Sequence, residues 1–282
     1  MSARSGRIRT SARPKVAVEI ALLIVVVIVV LPIAWLVLLS FLPNRAITSH
    51  DWIFPFWLGN FASIFEDGTF AIQLLNSVGI VVGTVAVCIL IGSISGYALA
   101  RLSPPRWISV PTLALAAIIP LIPPATLVPG LYELLNDVGL LGSVAGLVLV
   151  NSLFNLPFAT LLMASYFSGI PVQLREAALV DGANEASVFT RIMLPLVRPG
   201  LAATSIFVGI MAWNEFLMGL TLTSGGPTAP ITVGIAGFVQ EFAVTWGQLA
   251  AAGTVAAVPL IILAVFANKQ IIAGLTAGAV KG

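Results

Sequence analysis

Long apolar runs alternate with short polar breaks along almost the whole chain. Six runs, at about 16–41, 71–100, 107–129, 140–167, 201–223 and 248–270, hold few charged residues. A bilayer core is about 30 Å thick, so roughly 20 mostly apolar residues in a helix cross it. All six runs reach that length. Lipid offers the backbone no hydrogen bonds, so each run predicts an α-helix. The segments of roughly ten alternating residues that mark a membrane barrel do not occur. The pattern predicts an all-α polytopic membrane protein with six transmembrane helices.

Composition points the same way. The 282 residues are 59% hydrophobic and 9% charged, with a mean hydropathy of +1.08. A soluble domain carries about 25% charged residues, so this chain cannot cover a water-facing surface. The net charge of +2 says little by itself. A single cysteine, Cys88, excludes an intrachain disulfide and reads as a small buried side chain. One histidine, His50, makes neither a metal site nor a credible catalytic base.

Charge placement orients the helices. The first run follows Arg4, Arg7, Arg9, Arg13 and Lys15. It is longer than a signal-peptide core of about 7–15 residues and lacks a small-x-small cleavage site, so it predicts a retained anchor helix. With six spans both termini share a side, and twelve of the thirteen Lys and Arg residues fall there; Arg45 lies opposite. By the positive-inside rule that side is cytoplasmic. Asp51, Glu66, Asp67, Glu133, Asp137 and Glu241 fall outside. Residues 1–15 are then a cytoplasmic segment, 16–272 the membrane domain and 273–282 a cytoplasmic tail. External loops are expected at 42–70, 130–139 and 224–247, cytoplasmic ones at 101–106 and 168–200. None reaches the size of a separate domain of about 50 residues.

Prolines stand inside several runs, at 32, 111, 120, 123, 124, 157 and 259. Those of "IIPLIPPATLVPG" (118–130) are expected to fray the outer end of the third span. The pairs Gly79/Gly83 and Gly92/Gly96 suit close helix approach.

The 168–200 loop is the longest polar stretch, and "REAALVDGANEASVFTRIMLPLVRPG" (175–200) has helix punctuation. Pro171 opens a helix over 172–180. Asp181-Gly182 makes a turn, and Asn184 caps a second helix to Met193. Pro195 and Pro199-Gly200 end it. The hairpin could lie on lipid headgroups, but such helices are rich in Lys and Arg. Acids and bases are balanced here, which favours docking on a protein.

The chain has no catalytic set of its own. It contains no Gly-Lys pair, so it has no Walker A phosphate loop. "TSGGP" (223–227) reads as a turn. Neither a metal-ligand cluster nor a nucleophile with a positioned base is evident. Ionisable groups within spans are costly and mark cavities or partners. Glu215, beside Trp213 and Asn214, is the clearest candidate for a solute path; pairing with backbone or a neighbouring helix explains it equally well. Asn76, Asn151 and Asn155 are weaker candidates.

The loop carries E-A-A, three residues, G, nine residues, then I-x-L-P: Glu176, Ala177, Ala178, Gly182, Ile192, Leu194 and Pro195. This resembles the EAA loop of binding-protein-dependent ABC importer permeases, and it precedes the second-last span, as in that family. "NSVGI" (76–80), "GYALAR" (96–101), "AWNEFLMGLTLT" (212–223) and "AGLTAGAVKG" (273–282) resemble the maltose and carbohydrate type, in particular its smaller permease subunit. The resemblance implies a type I importer permease fold and a bacterial or archaeal plasma membrane location. It implies that Glu176, Ala177, Ala178, Asp181, Gly182, Ala183, Ile192, Leu194 and Pro195 form coupling helices seated on an ATP-hydrolysing subunit. Small alanines would permit close packing, Gly182 the turn, and Glu176 a charge-assisted contact. Lys281 and Gly282 of the tail would touch the same subunit. The implied partners are a second, homologous permease, two ATPase subunits that hold ATP and Mg, and an extracytoplasmic solute-binding protein. No cofactor, metal or nucleic acid is expected on this chain. Asn76, Asn155, Trp213, Asn214 and Glu215 would line the solute path. Disaccharides, amino sugars, polyols and glycerophosphodiesters all remain open as solutes. The alternative is a secondary transporter of a small polar solute; it would call for intramembrane ion ligands and paired repeats, and only Glu19 and Glu215 are acids near a span.

Overall fold

Helices stand where the apolar runs predict them. The computed structural model describes residues 13–49, 56–239 and 244–279, with side chains over 16–49, 56–239 and 244–265. Arg4, Arg7, Arg9, His50, Asp51, Glu241, Lys281 and Gly282 lie outside the described residues.

The first apolar run is α1 (Arg13–Ser40), followed by the short α2 (Asn44–Ser49) and α3 (Gly59–Phe65). No residue in the most apolar window of α1 is buried. The helix joins the body near its far end. There the Asn60 side-chain amide donates to the carbonyls of Ser40 and Leu42, at 2.9 and 2.8 Å.

The second run is α4 (Thr69–Tyr97), continued by a π-helical turn at Ala98–Leu102. The fourth is α7 (Val144–Ser168), and α4 packs along it. Glycines set the seam. A Cβ on Gly83 would stand 2.7 Å from Val148, and one on Gly96 2.8 Å from the Ala164 backbone and from Met163. At Gly92 the approach to Ala159 is 3.3 Å; at Gly79 the nearest atom is an ordinary 3.8 Å away. Small-residue packing therefore operates at three of the four expected positions.

The third run is broken rather than frayed. It forms α5 (Arg106–Ile118), a single 3-10 turn at Ile119–Leu121, and α6 (Pro124–Asp137), with a bend of 111° between the two arms. Pro123 takes the position before α6 and Pro124 its first turn, where a missing N–H costs nothing. The stretch 130–139, expected as a loop, is therefore mostly helix.

Beyond α7 come α8 (Val172–Val180), α9 (Glu185–Val188), a second π-helical turn at Phe189–Met193, and α10 (Leu194–Leu196). The fifth run is α11 (Arg198–Trp213), a break at 214–216, and α12 (Leu217–Thr223). The arm 185–196 meets α11 at 76°. In the stretch 224–247, read as an external loop, α13 (Ile231–Ala236) packs into the body with Ile231 fully buried. Ser77 on α4 accepts the Ile231 N–H at 2.8 Å. The sixth run is α14 (Trp246–Ala279), which carries helix into the expected tail.

Among the described residues four helices are long and apolar enough to cross a membrane, or six if each bent pair is one span. Among the described residues the regular elements are helical, apart from one antiparallel bridge between Val239 and Val244.

Candidate functional site

Two places concentrate polar groups: the 168–200 loop and a cavity between the broken spans.

The loop folds as a helical hairpin. Pro171 precedes α8, and the chain leaves that helix through Gly182, whose φ of +86° is the left-handed region glycine favours. The Asn184 side chain accepts the Ser187 N–H at 2.8 Å and caps α9. Under the hairpin lies an apolar cluster of Ala178, Val188, Met193 and Val197 against Met163 and Phe167 of α7 and Tyr97 of α4. The Tyr97 ring stands 5.3 Å from Phe167 and 5.0 Å from Phe189.

An ion pair braces the two arms. Arg175 donates from Nε and Nη2 to Glu185 at 2.8 and 2.9 Å, a bidentate pairing. The Tyr97 hydroxyl also donates to Glu185. The Arg175 guanidinium holds the Glu185 carboxyl below the usual carboxylate range. Arg101 donates to the carbonyls of Phe167 and Ile170. It places positive charge at the C-terminal end of α7, where the helix dipole favours it.

The family pattern divides between two faces. Glu176, Ala177, Asp181 and Gly182 face outward. Ala178 is buried, while Ala183, Ile192, Leu194 and Pro195 are half-buried. All of these except Pro195 belong to the cluster beneath the hairpin. The two alanines, grouped by sequence, thus serve opposite sides. Among the outward residues stand exposed aliphatic side chains that sequence reasoning passed over: Val172, Leu174 and, above all, Val180, which is 87% exposed. An aliphatic residue next to an Asp-Gly turn was the available signal. The Arg175–Glu185–Tyr97 cluster was missed as well, because only the folded hairpin brings those positions together.

The cavity lies where the α5–α6 break, α7 and the α11–α12 break meet. It has a volume of about 280 Å³, and its lining includes Pro120, Pro124, Asn151, Asn155, Glu215 and Met218. Irregular backbone at membrane depth is tolerated where protein buries it or a cavity is lined. The Glu215 carboxylate accepts the N–H groups of Met218 at 2.6 Å and Gly219 at 2.9 Å, satisfying the first donors of α12. Thr232 donates to the Glu215 carbonyl at 2.7 Å. Asn155 donates to the Asn151 carbonyl, and Asn151 to that of Leu147.

The other candidates stand elsewhere. Trp213 is buried and donates to the Ala256 carbonyl at 3.2 Å. Asn214 donates to the Ile210 carbonyl at 2.7 Å, closing α11. Asn76 donates to the carbonyls of Pro227 and Ala229, at 2.9 and 3.1 Å. Of the five residues expected on a solute path, Asn155 and Glu215 share the cavity, with Asn151 beside them. Among the described residues no group of three His, Cys, Asp or Glu could hold a metal ion.

Residues 88–276 match the model of a protein family described as "Binding-protein-dependent transport system inner membrane component". The chain is 33% identical over 255 residues to the trehalose transport system permease protein SugB of Mycobacterium tuberculosis, covering 89% of this chain and 92% of that one. It is 30% identical over 278 residues to the trehalose/maltose transport system permease protein MalG of Thermococcus litoralis, covering 97% and 99%. Its fold resembles a chain in the crystal structure of a bacterial ABC transporter involved in the import of the acidic polysaccharide alginate. There the TM-score is 0.75 at 22% identity, over 95% of this chain and 99% of that chain.

Proposed function

This chain belongs to the family of binding-protein-dependent transport system inner membrane components, and from that premise we infer that it forms, with a second homologous permease, the path of an ATP-driven importer for a sugar or related solute. Relatives named for trehalose, maltose and diacetylchitobiose support the solute class. Two ATPase subunits carry ATP and Mg, and an extracytoplasmic binding protein delivers the solute. Both termini and the 168–200 loop face the cytoplasm, as the basic residues require. Residues 16–272 form the permease domain between a cytoplasmic segment at 1–15 and a tail at 273–282, whose Lys281 and Gly282 meet the ATPase.

The outward face of α8 carries this reading. That face mixes exposed aliphatic side chains, Val172, Leu174, Ala177 and Val180, with Gln173, Glu176 and Asp181. The mixture suits a protein groove with a basic group opposite Glu176. The residues beneath it, Ala178, Ile192 and Leu194, fasten the hairpin to α4 and α7. When the ATPases close, they draw the hairpins together, and the rigid helices turn the cavity outward. Asn151, Asn155 and Glu215 offer amide and carboxylate groups to hydroxyls of the passing solute.

The test is reconstitution. The chain, its partner permease and the ATPase subunit are expected to purify together and to import a sugar only with ATP and the binding protein. Uptake driven by an ion gradient, without ATPase subunits, would indicate a secondary transporter and overturn the reading. Thermal-shift screening of the binding protein identifies the solute.

A further inference from the structure

One side chain ties a long span to both arms of the hairpin. Tyr97 ends the regular part of α4 and is 4% exposed. Its hydroxyl donates to Glu185, the first residue of α9. The same carboxylate is clasped by Arg175 from α8 through two bonds of 2.8 and 2.9 Å. Packing alone does not call for this arrangement. A phenylalanine would fill the space between Phe167 and Phe189 without a hydroxyl to satisfy, and burying one unpaired is costly.

The surrounding backbone is unusual at the same place. Tyr97 leads into the π-helical turn at Ala98–Leu102, and Phe189, against its ring, opens the π-helical turn at Phe189–Met193. Such turns are rare and recur at functional sites. Two of them meet across this one aromatic contact.

The opposite end of α4 is also fastened. Asn76 holds the carbonyls of Pro227 and Ala229, and Ser77 accepts the Ile231 N–H. One residue further, Thr232 holds the Glu215 carbonyl at the cavity. Between these ends the glycine seam locks α4 to α7.

We propose that Tyr97 is a positioning residue: with the Arg175–Glu185 pair it forms the latch through which displacement of the hairpin is carried to α4. This rests on the docking of α8 on an ATPase. The latch lies on the inward side of the hairpin, away from the docking face, so breaking it leaves recruitment intact.

The experiment compares reconstituted importers carrying Tyr97→Phe, Glu185→Gln, Arg175→Glu, and the exchange Arg175→Glu with Glu185→Arg. Assembly, ATP hydrolysis and solute uptake are each measured. Expected are normal assembly and hydrolysis, with uptake per ATP reduced about fivefold or more in the single variants, the lower end of typical coupling between sites. The exchanged pair is expected to recover much of what Arg175→Glu loses. Uptake per ATP within twofold of the parent in both Tyr97→Phe and Glu185→Gln overturns the latch. Loss of assembly in both assigns the cluster to folding and overturns it equally. A parent that recruits no ATPase and shows no ATP-dependent uptake refutes the docking reading instead.

Discussion

Replacing Val180 puts the docking face to a quantitative test. Its side chain is 87% exposed, so nearly all of its apolar area is available to a partner. Burying a methylene-sized group contributes about 0.8 kcal/mol. Val180→Ala removes two methyl groups, so at that exposure a partner loses about 1.4 kcal/mol, or roughly tenfold in affinity. Alanine is also the better helix former, so the hairpin itself is not weakened. Val180→Asp goes further, because an unpaired carboxylate in a dry interface costs several kcal/mol. The expected loss there is about a hundredfold or more. The assay titrates purified ATPase subunit onto the permease pair held in nanodiscs and reads half-saturation. The thermal midpoint of the pair without ATPase serves as the control and should not move. Unaltered half-saturation for Val180→Asp would refute the assignment of this face.

The α4–α7 seam predicts a contrast between glycines. Gly96→Ala forces a Cβ to within 2.8 Å of backbone, so overpacking should cost about 1–3 kcal/mol and lower the thermal midpoint in detergent, while Gly79→Ala, whose Cβ would meet its nearest neighbour at an ordinary 3.8 Å, should not. Gly182→Ala meets no atom within 4 Å but must hold φ at +86°, a strain of about 1–2 kcal/mol; faster hydrogen exchange in 172–190 is the readout. Gly182→Trp should in addition separate ATP hydrolysis from uptake while leaving membrane insertion intact. The lowered Glu185 pKa makes the hairpin brace acid-labile. Its stabilisation is present at neutral pH and is lost as pH falls below about 4.5 through the depressed value. Thermal unfolding followed from pH 7 downward should show this acid loss, and Glu185→Gln should flatten that part of the profile.

The spans that could be read from sequence were those whose length alone decides the matter. Residues 16–41, 71–100, 140–167 and 248–270 are apolar far beyond what a water-facing helix carries. Where the chain bends, the apolar signal runs on unchanged. Pro120, Pro123 and Pro124 announced a disturbance, but not that a second helix would leave at 111°. At 214–216 only Asn214 and Glu215 interrupt the apolar run, and the Glu215 carboxylate takes over the N–H groups of the next helix. A six-residue helix such as α13 is too short to show a period, so its burial was invisible. In the 168–200 loop the punctuation at Pro171, Gly182 and Asn184 was legible because each acts on its own backbone. Which alanine faces inward depends on packing beneath the helix, and Ala177 and Ala178 are chemically the same.

The bare flank of α1 has a consequence for how this sequence can vary. In water an exposed run from Val16 to Leu31 would have to be hidden; in lipid it already has its solvent. The fold of this chain therefore imposes no shape on those side chains, and exchanges among Val, Leu and Ile there should be silent. A position along α1 that resists such exchange reports the imprint of another protein. Scanning the helix residue by residue would draw the outline of whatever stands beside it.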